Sequence, residues 1–264
     1  MSVPDLGVLS RDSVARRTNR ESFLLLGGAA AVLLQIAHPL VAAGVGAHST
    51  YRTDFFGRLS RTVNTPLAVV FGTTAHAHAG LRRIGRRHVP VHGRAPDGRS
   101  YDARDPALLV WVQVTLVLTS LRLYEYVLGR LSDAERDAYW QEARFFALEL
   151  GATAESLPRT LSDVLAYEHH MLATEAIPDA NGVAVAREVV RPIRWLPDIA
   201  YWPFDAITAG LLPPSLRLAF GLPWRTRERL WFRFAICALR LFVPLVPDRI
   251  RVVPQARGYE ARLR

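Results

Sequence analysis

The sequence predicts an all-α protein that folds as a single large helical domain. Half of its 264 residues are hydrophobic and 22% are charged, which is a globular rather than a disordered balance. Apolar residues recur at helical spacing along most of the chain, whereas the alternating pattern of strands is almost absent. Because no repeat or Gly/Ser-rich linker divides the chain, we expect an N-terminal extension over residues 1–20 and one domain over residues 21–264.

The N-terminal third of the domain predicts two helices separated by a loop. Residues 21–37 are apolar around the whole circumference of a helix, so this helix should be unbroken and buried. Pro39 should end or redirect it, and we expect a loop to follow. A second helix over residues 53–64 should end before Pro66.

A third helix is predicted over residues 73–88, and Pro90 should stop it. Ala77, Leu81, Ile84 and His88 share one face of this helix, and its arginines lie elsewhere. Residues 91–105 contain the Gly, Pro and Asp residues typical of turns, so they should form a loop.

The second half of the chain has clear helix starts. Pro106 follows Asp105 at the first position of a helix that should reach about Leu128. Ser132 and Glu135 have the spacing of a capping box and should begin a helix that ends near Gly151. Further helices are expected over residues 162–174, 182–190, 201–209, 214–220 and 226–242.

The charge and the cysteine content exclude some functions. The net charge is +9, and all 33 basic residues are arginine. Since arginine recurs along the whole chain and not in one stripe, we expect no nucleic-acid binding. Cys237 is the only cysteine, which excludes an internal disulfide. No basic start followed directly by an apolar stretch precedes Glu21, so we expect a cytoplasmic protein.

Several common kinds of site are missing from the sequence. It contains no Gly-rich phosphate loop, no G-x-S-x-G elbow, no H-E-x-x-H pair and no repeated Glu-x-x-His. Glu168, His169 and His170 form the densest acid–histidine cluster. Adjacent residues on a helix point in different directions, so these three should be solvated or capping groups and not ligands of one metal ion.

His88 stands out among the eight histidines because it lies on the apolar face of its helix, in the last turn. One interpretation is a core histidine that bonds a backbone carbonyl or is stabilised by the helix C-terminus. The other is an axial haem ligand, because a neutral imidazole that faces an apolar cavity suits haem iron.

A second group of residues, Asp54, Arg58, Arg61 and Thr62, has helical spacing. It can form an i,i+4 ion pair on a solvated edge. Alternatively, Arg58 and Arg61 bind an anion such as a haem propionate through their guanidinium groups. The spacing alone leaves both interpretations open.

The order of short motifs along the chain resembles that of a known family. These motifs are Gln35-Ile-Ala-His38-Pro39, Gly44-Val45, His48-Ser49-x-Tyr51, Asp54-x-x-x-Arg58-Leu59-x-Arg61-Thr62, His88-x-x-Val91-x-Gly93, Tyr101-x-Ala103-x-Asp105-Pro106, Leu109-x-Trp111-Val112, Gly210-Leu211-Leu212-Pro213, Gly221-Leu222-x-Trp224 and Pro254-x-Ala256-Arg257. From about residue 20 to residue 260, the series is similar to the MpaB-type oxygenases and the rubber oxygenases (latex-clearing proteins).

This resemblance implies a mostly helical fold with a buried apolar pocket for haem b and with O2 as cosubstrate. The family's haem-ligating histidine corresponds to His88, which would be the metal ligand. Its Arg-x-x-Lys-Thr segment corresponds to Arg58, Arg61 and Thr62. By the same resemblance, His88, Arg58, Arg61 and His92 would bind the cofactor, and Arg61 and Thr62 would have catalytic roles.

The chain departs from the rubber oxygenases in ways that bear on the substrate. Arg61 replaces a lysine, and an arginine side chain cannot become a neutral amine ligand at ordinary pH. Gly85 and His92 stand where arginines flank the family histidine. We therefore expect a small apolar or isoprenoid-like substrate inside the cell and not polyisoprene. The alternatives are a non-catalytic helical carrier for an apolar ligand, or a peripheral membrane protein that uses Arg-rich edges and apolar C-terminal helices.

Overall fold

The computed structural model describes residues 5–48, 55–191, 193 and 195–263, without the side chains of residues 55, 56, 58 and 59. Within these ranges the chain forms fourteen α-helices and one two-stranded hairpin, which confirms the all-α prediction. The helices are α1 (Val14–Asn19), α2 (Gly28–Ile36), α3 (Pro39–His48), α4 (Phe55–Phe71), α5 (Thr74–His88), α6 (Pro106–Leu128), α7 (Asp133–Leu150), α8 (Leu161–Thr174), α9 (Ala180–Val190), α10 (Asp198–Leu211), α11 (Pro214–Ala219), α12 (Thr226–Phe242), α13 (Asp248–Arg251) and α14 (Pro254–Arg262), with 3₁₀ turns at Ser22–Gly27 and Val243–Leu245.

Helix α6 is the centre of the fold. It begins as predicted, with Pro106 in its first turn and the Asp105 carboxylate accepting from the Ala107 backbone N–H at 2.8 Å. It packs against α1, α2, α7, α8, α10 and α12. Its most apolar window is 72% buried, so its length and apolarity, which would suffice to cross a membrane, serve the core. The Trp111 indole donates to the Gln35 carbonyl at 3.2 Å and so joins α6 to the end of α2.

The predicted caps of the next helices are confirmed. The Ser132 hydroxyl accepts from the Glu135 N–H at 3.3 Å, while the Glu135 carboxylate accepts from the Ser132 N–H at 2.8 Å. Gly151 ends α7 with φ of 116°, a conformation that favours glycine. Thr160 and Asp163 form a second capping box at the start of α8, which was not predicted from the sequence.

The segment around Pro39 differs from the prediction. The expected unbroken helix over residues 21–37 is a 3₁₀ turn followed by α2, and the expected loop after Pro39 is helix α3. The two parts meet at an angle of 111°. Pro39 starts α3 because a proline lacks only an N–H that the first turn leaves unbonded. The His38 Nδ1 accepts from the Leu40 N–H at 3.2 Å and caps the new helix.

Helices α4 and α5 form an antiparallel hairpin. The prediction that α4 ends before Pro66 is wrong, because α4 continues through Pro66 while packing against α5 and α14. Gly72 makes the turn, where an added Cβ would lie 2.3 Å from the Ala68 carbonyl oxygen. Thr73 then caps α5 by accepting from the His76 N–H at 3.3 Å.

The predicted loop over residues 91–105 contains a short antiparallel hairpin of β1 (His92–Arg94) and β2 (Ser100–Asp102). Gly93 lies opposite Tyr101, and an added Cβ would approach the Tyr101 hydroxyl to 2.8 Å. Gly98 makes the turn with φ of 87°. Strands of three residues are too short to show an alternating pattern, which is why the sequence indicated only turns.

The N-terminal and C-terminal segments pack on the domain through arginine. Helix α1 lies within the predicted N-terminal extension, and its Arg16 is 4% exposed. The Arg16 guanidinium donates to the Val70 carbonyl at 3.0 Å and to the Tyr259 hydroxyl at 2.6 Å, and it stacks 4.0 Å from the Tyr259 ring centroid. Arg251 and Glu21 form a bidentate pair at 2.7 and 2.8 Å.

Two helical glycines provide a test of this packing. In Gly210→Ala, the new methyl group would lie 2.3 Å from the Phe232 ring, so the free energy of unfolding should fall by about 1–3 kcal/mol. Gly258→Ala meets no atom within 4 Å and should be neutral or raise stability by up to about 1 kcal/mol. Urea unfolding of the two variants measures both effects. Equal stability would contradict the placement of α12 against α10.

Candidate functional site

His88 is the last residue of α5, on the face that the sequence predicted. Ala77 and Leu81, earlier on this face, are buried against Val69 of α4, and Ile84 and His88 are partly exposed. The apolar face is thus confirmed, and it opens towards solvent as it approaches His88.

The hairpin brings His88 level with the predicted arginine segment. An added Cβ at Gly80 would lie 3.2 Å from Val69 and 3.7 Å from Thr65, so Gly80 faces this part of α4. His88 lies eight residues further along α5, about 12 Å at 1.5 Å per residue. Because α4 runs antiparallel to α5, the same distance along α4 leads from Thr65 and Val69 back to residues 57–61. The structure therefore places backbone positions 58 and 61 at the same end of the hairpin as His88.

The surroundings of His88 favour a neutral imidazole. Burial lowers the pKa of His88 below its ordinary value, and the negative charge of Asp102 opposes this shift. Arg104 holds Asp102 in its charged form, with the pKa of that carboxyl lowered to about 2. In the part of the chain that the structure describes, the His88 ring has no hydrogen-bond partner. The carbonyl bond expected of a core histidine is therefore not formed with these residues.

Gly85 leaves space beside His88. It precedes His88 by three residues, so both project from the same side of α5. An added Cβ at Gly85 would meet no described atom within 4 Å. The absence of a side chain here widens the open region next to the imidazole.

Helix α3 and the β-hairpin adjoin the site. The Val91 N–H donates to the His88 carbonyl at 2.9 Å, which ties the hairpin to the end of α5. An added Cβ at Gly44 of α3 would lie 3.3 Å from Val91 and 3.6 Å from Tyr101. Gly44 thus lets α3 approach the hairpin closely. Four residues of the quoted motifs, namely Gly44, Val91, Gly93 and Tyr101, meet in this packing.

Sequence reasoning missed the pairing of His48 with Tyr101. The His48 Nε2 lies 3.1 Å from the Tyr101 hydroxyl, and the two rings pack edge to face with centroids 6.1 Å apart. His48 is exposed at the end of α3, while Tyr101 is 7% exposed. Both residues occur in the motifs, but no spacing rule relates positions that are 53 residues apart.

The other predicted site residues have different environments. Arg61 is partly buried in α4, and Thr62 is exposed. His92 is exposed in β1, on an open groove of the hairpin that Arg94 also lines. Asp54, all of residues 49–54 and the side chain of residue 58 lie outside the described part of the structure, so Arg58 is placed only by its backbone.

The acid–histidine cluster of α8 is only partly as predicted. His169 and His170 are exposed, but Glu168 is 6% exposed and receives two bonds from Arg122, at 2.8 and 2.5 Å. The prediction of a solvated or capping Glu168 is wrong, because Glu168 is buried and its carboxylate is paired with Arg122, the charged partner that a buried carboxylate requires. Among the described residues, no three His, Cys, Asp or Glu side chains are grouped as a metal site.

The lowered pKa of His88 predicts an effect of pH on stability. Between the folded pKa and the unfolded value of about 6.5, the unfolded chain binds more protons, so stability should fall as pH drops through this interval. His88→Gln should reduce this loss. Urea unfolding between about pH 5 and pH 8 measures how the free energy of unfolding changes with pH. Burial also lowers the pKa of His38, which therefore adds to the loss of stability at low pH. For this reason the His88→Gln variant is compared with the parent chain. An unchanged slope would contradict the burial of His88.

Comparison with known proteins places this chain in a family. A family model described as "ER-bound oxygenase mpaB/B'/Rubber oxygenase, catalytic domain" matches residues 15–241. An uncharacterised protein of Mycobacterium bovis and one of Mycobacterium tuberculosis are each 28% identical over 239 residues, an alignment that covers 84% of this chain and 89% of each relative. The matched region contains α2 to α11 and all but one residue of α1 and of α12, including the α4–α5 hairpin and His88. The chain therefore belongs to the mpaB and rubber oxygenase catalytic-domain family.

Proposed function

We propose that this protein is a haem b-dependent oxygenase that acts on a small apolar or isoprenoid-like molecule with O2. One observation carries the proposal. His88, in a chain of an oxygenase family, is a partly buried imidazole at the end of α5, and burial favours its neutral form. A neutral imidazole next to apolar side chains is the form that binds haem iron.

His88 would be the protein ligand of the iron. Its ring forms no hydrogen bond with the described residues, so a nitrogen lone pair is available to a metal. Gly85 has no side chain, and a Cβ added there would meet no described atom within 4 Å, which would leave room for part of a macrocycle beside the imidazole. One histidine is a sufficient protein ligand, since the porphyrin supplies further nitrogen donors.

Arg58 and Arg61 would bind the haem propionates. Their backbone positions lie at the level of His88, and guanidinium groups form strong charge-assisted bonds with carboxylates. Thr62, which follows Arg61 in α4 and is exposed, would offer a hydroxyl to a bound polar group. His92 would contribute from the rim of the hairpin, where it is solvated.

When bound, the haem would supply the redox chemistry with O2, and the protein would supply position and environment. Leu81 and Ile84 would exclude water from the side of the imidazole that faces α4. An arginine at position 61 donates hydrogen bonds but provides no neutral amine, in contrast to the lysine of the rubber oxygenases. On the basis of this difference we propose a small substrate and not polyisoprene, and we propose that the enzyme acts in the cytoplasm.

Haem binding is the first test. Protein produced with a haem precursor should show a Soret band, and His88→Ala should lose it because the iron loses its ligand. His170→Ala, at an exposed histidine of α8, is the matched control and should retain the band. Circular dichroism checks that each variant is folded.

Arg58→Ala should weaken haem retention about tenfold or more, since a charge-assisted hydrogen bond typically contributes ~1.5–3 kcal/mol. Arg159→Ala, at an exposed arginine between α7 and α8, serves as the control. Full haem retention in folded His88→Ala would move the ligand to another histidine, with His92 and His38 the next to replace. Absence of haem from the parent protein would favour the carrier.

Oxygen consumption is the test of the reaction. Haem-loaded protein should consume O2 with short terpenoids, and His88→Ala should not. Latex should give no reaction, because Arg61 replaces the lysine of the rubber oxygenases. Mass spectrometry of the products identifies the oxidised bond. Release of isoprenoid aldehydes from latex would contradict the proposed substrate class.

A further inference from the structure

Helix α12 is apolar on two opposite sides. One side packs into the core, where Phe232 and Ile236 are 8% and 7% exposed. On the other side, Leu230, Phe234 and Leu241 are 59%, 62% and 63% exposed. A helix on the surface of a globular protein normally presents polar residues to solvent, so this second side is unusual.

The exposed apolar residues of α12 form a row. At about 100° per residue, Leu230, Phe234, Cys237 and Leu241 fall within about 60° of one another around the helix. Beyond α12, Leu245 is 72% exposed. We refer to these five residues as the outer face of α12.

Helix α10 extends the apolar surface beside the outer face. The Trp231 indole donates to the Pro203 carbonyl at 3.1 Å, and the Trp231 ring packs 5.5 Å from that of Phe234. Next to Pro203, Phe204 is 60% exposed, and Ile199 one turn earlier is 68% exposed. Single exposed apolar residues are common on proteins, but a continuous group of this kind indicates an interaction surface.

Unpaired positive charge lies along the outer face. Arg229 and Arg233 are exposed, about one quarter-turn from the apolar row, and have no ion-pair partner among the described residues. The nearby carboxylates are engaged within the chain: Glu228 accepts from Trp202 at 2.9 Å, and Asp205 pairs with Arg191 at 2.6 Å. The face therefore combines apolar side chains with free cations, and its complement is apolar and anionic.

We infer that the outer face of α12 docks on an anionic lipid surface, with α12 parallel to the membrane plane. The apolar row would enter the boundary between headgroups and acyl chains, and Arg229 and Arg233 would bind lipid phosphates through their guanidinium forks. This inference needs neither haem nor activity, so it is independent of the proposed function.

Charge favours lipid over a second copy of this chain. A two-fold contact through the outer face would bring the Arg229 and Arg233 rows of both copies into one interface. The carboxylates closest to that row are already bonded, so the added positive charge would be repelled. An anionic membrane accepts both the apolar row and the cations.

Vesicle flotation tests the docking. The protein should float with vesicles of phosphatidylcholine and phosphatidylglycerol and bind much more weakly to phosphatidylcholine alone. The variant Leu230→Gln/Phe234→Gln/Leu241→Gln should lose this binding. The control Val89→Gln/Leu148→Gln/Ile177→Gln changes three apolar residues of comparable exposure away from α12 and should bind like the parent.

A second pair of variants tests how much the arginines contribute to vesicle binding. Arg229→Gln/Arg233→Gln should lower the partition coefficient about thirtyfold, and high salt should act in the same direction. Arg82→Gln/Arg83→Gln, which removes two exposed arginines of α5, should have little effect.

The single cysteine reports the orientation directly. Cys237 lies in the apolar row and is exposed, so an environment-sensitive dye attached there should shift to shorter wavelength on anionic vesicles. The emission of a dye on Arg130→Cys in a Cys237→Ser background should not shift, since the Arg130 side chain is 70% exposed on the loop between α6 and α7.

Three results would overturn the inference. The first is equal binding to neutral and anionic vesicles, and the second is equal loss in the test and control variants. The third is no binding to vesicles, with a dimer in light scattering that the Leu230→Gln/Phe234→Gln/Leu241→Gln variant abolishes. That last result would assign the outer face to a second copy.

Discussion

The need to surround α6 organises the fold. A helix of 23 residues that is mostly apolar around its circumference is stable in water only if other elements cover most of its surface. Six helices do so, and the Trp111 bond to the Gln35 carbonyl fixes where α2 must end. The corner into α3 follows from that position. Because α3 then approaches the hairpin at Gly44, the burial of α6 also determines where Val91 and Tyr101 lie relative to His88.

The candidate site lies at the periphery of this core and not within it. It is formed by helices α4 and α5. Helix α4 packs against α1 and helix α5 packs against α7, and both α1 and α7 pack against α6; the other end of the hairpin holds His88. Packing is tight near the turn, where Val69 and Ala77 are fully buried, and loosens towards His88. Such a gradient lets one end of the hairpin be rigid while the other retains space for a ligand.

Helix existence could be predicted from the sequence where the signal is local. The helix starts at Asp105 and Ser132 involve residues close together in the chain, and the apolar face of α5 repeats at regular helical spacing. Where tertiary contacts determine the structure, the predictions from the sequence were wrong. Helix α4 continues through Pro66, and Glu168 is buried because Arg122 lies opposite. The candidate site could be predicted only in part for the same reason. His88 shows its helical face locally, whereas the His48 pair with Tyr101 depends on how α3 meets the hairpin.

The two described ends of the chain meet at the α4–α5 turn. Asp5 accepts from the Thr74 N–H at 3.0 Å, and the Arg262 guanidinium donates to the Phe71 carbonyl at 2.5 Å. This turn is separated from His88 by the length of α5, about 21 Å at 1.5 Å per residue. Circular permutation with a short linker should therefore be tolerated, and fusion partners attached near either end would emerge on one side, remote from the imidazole.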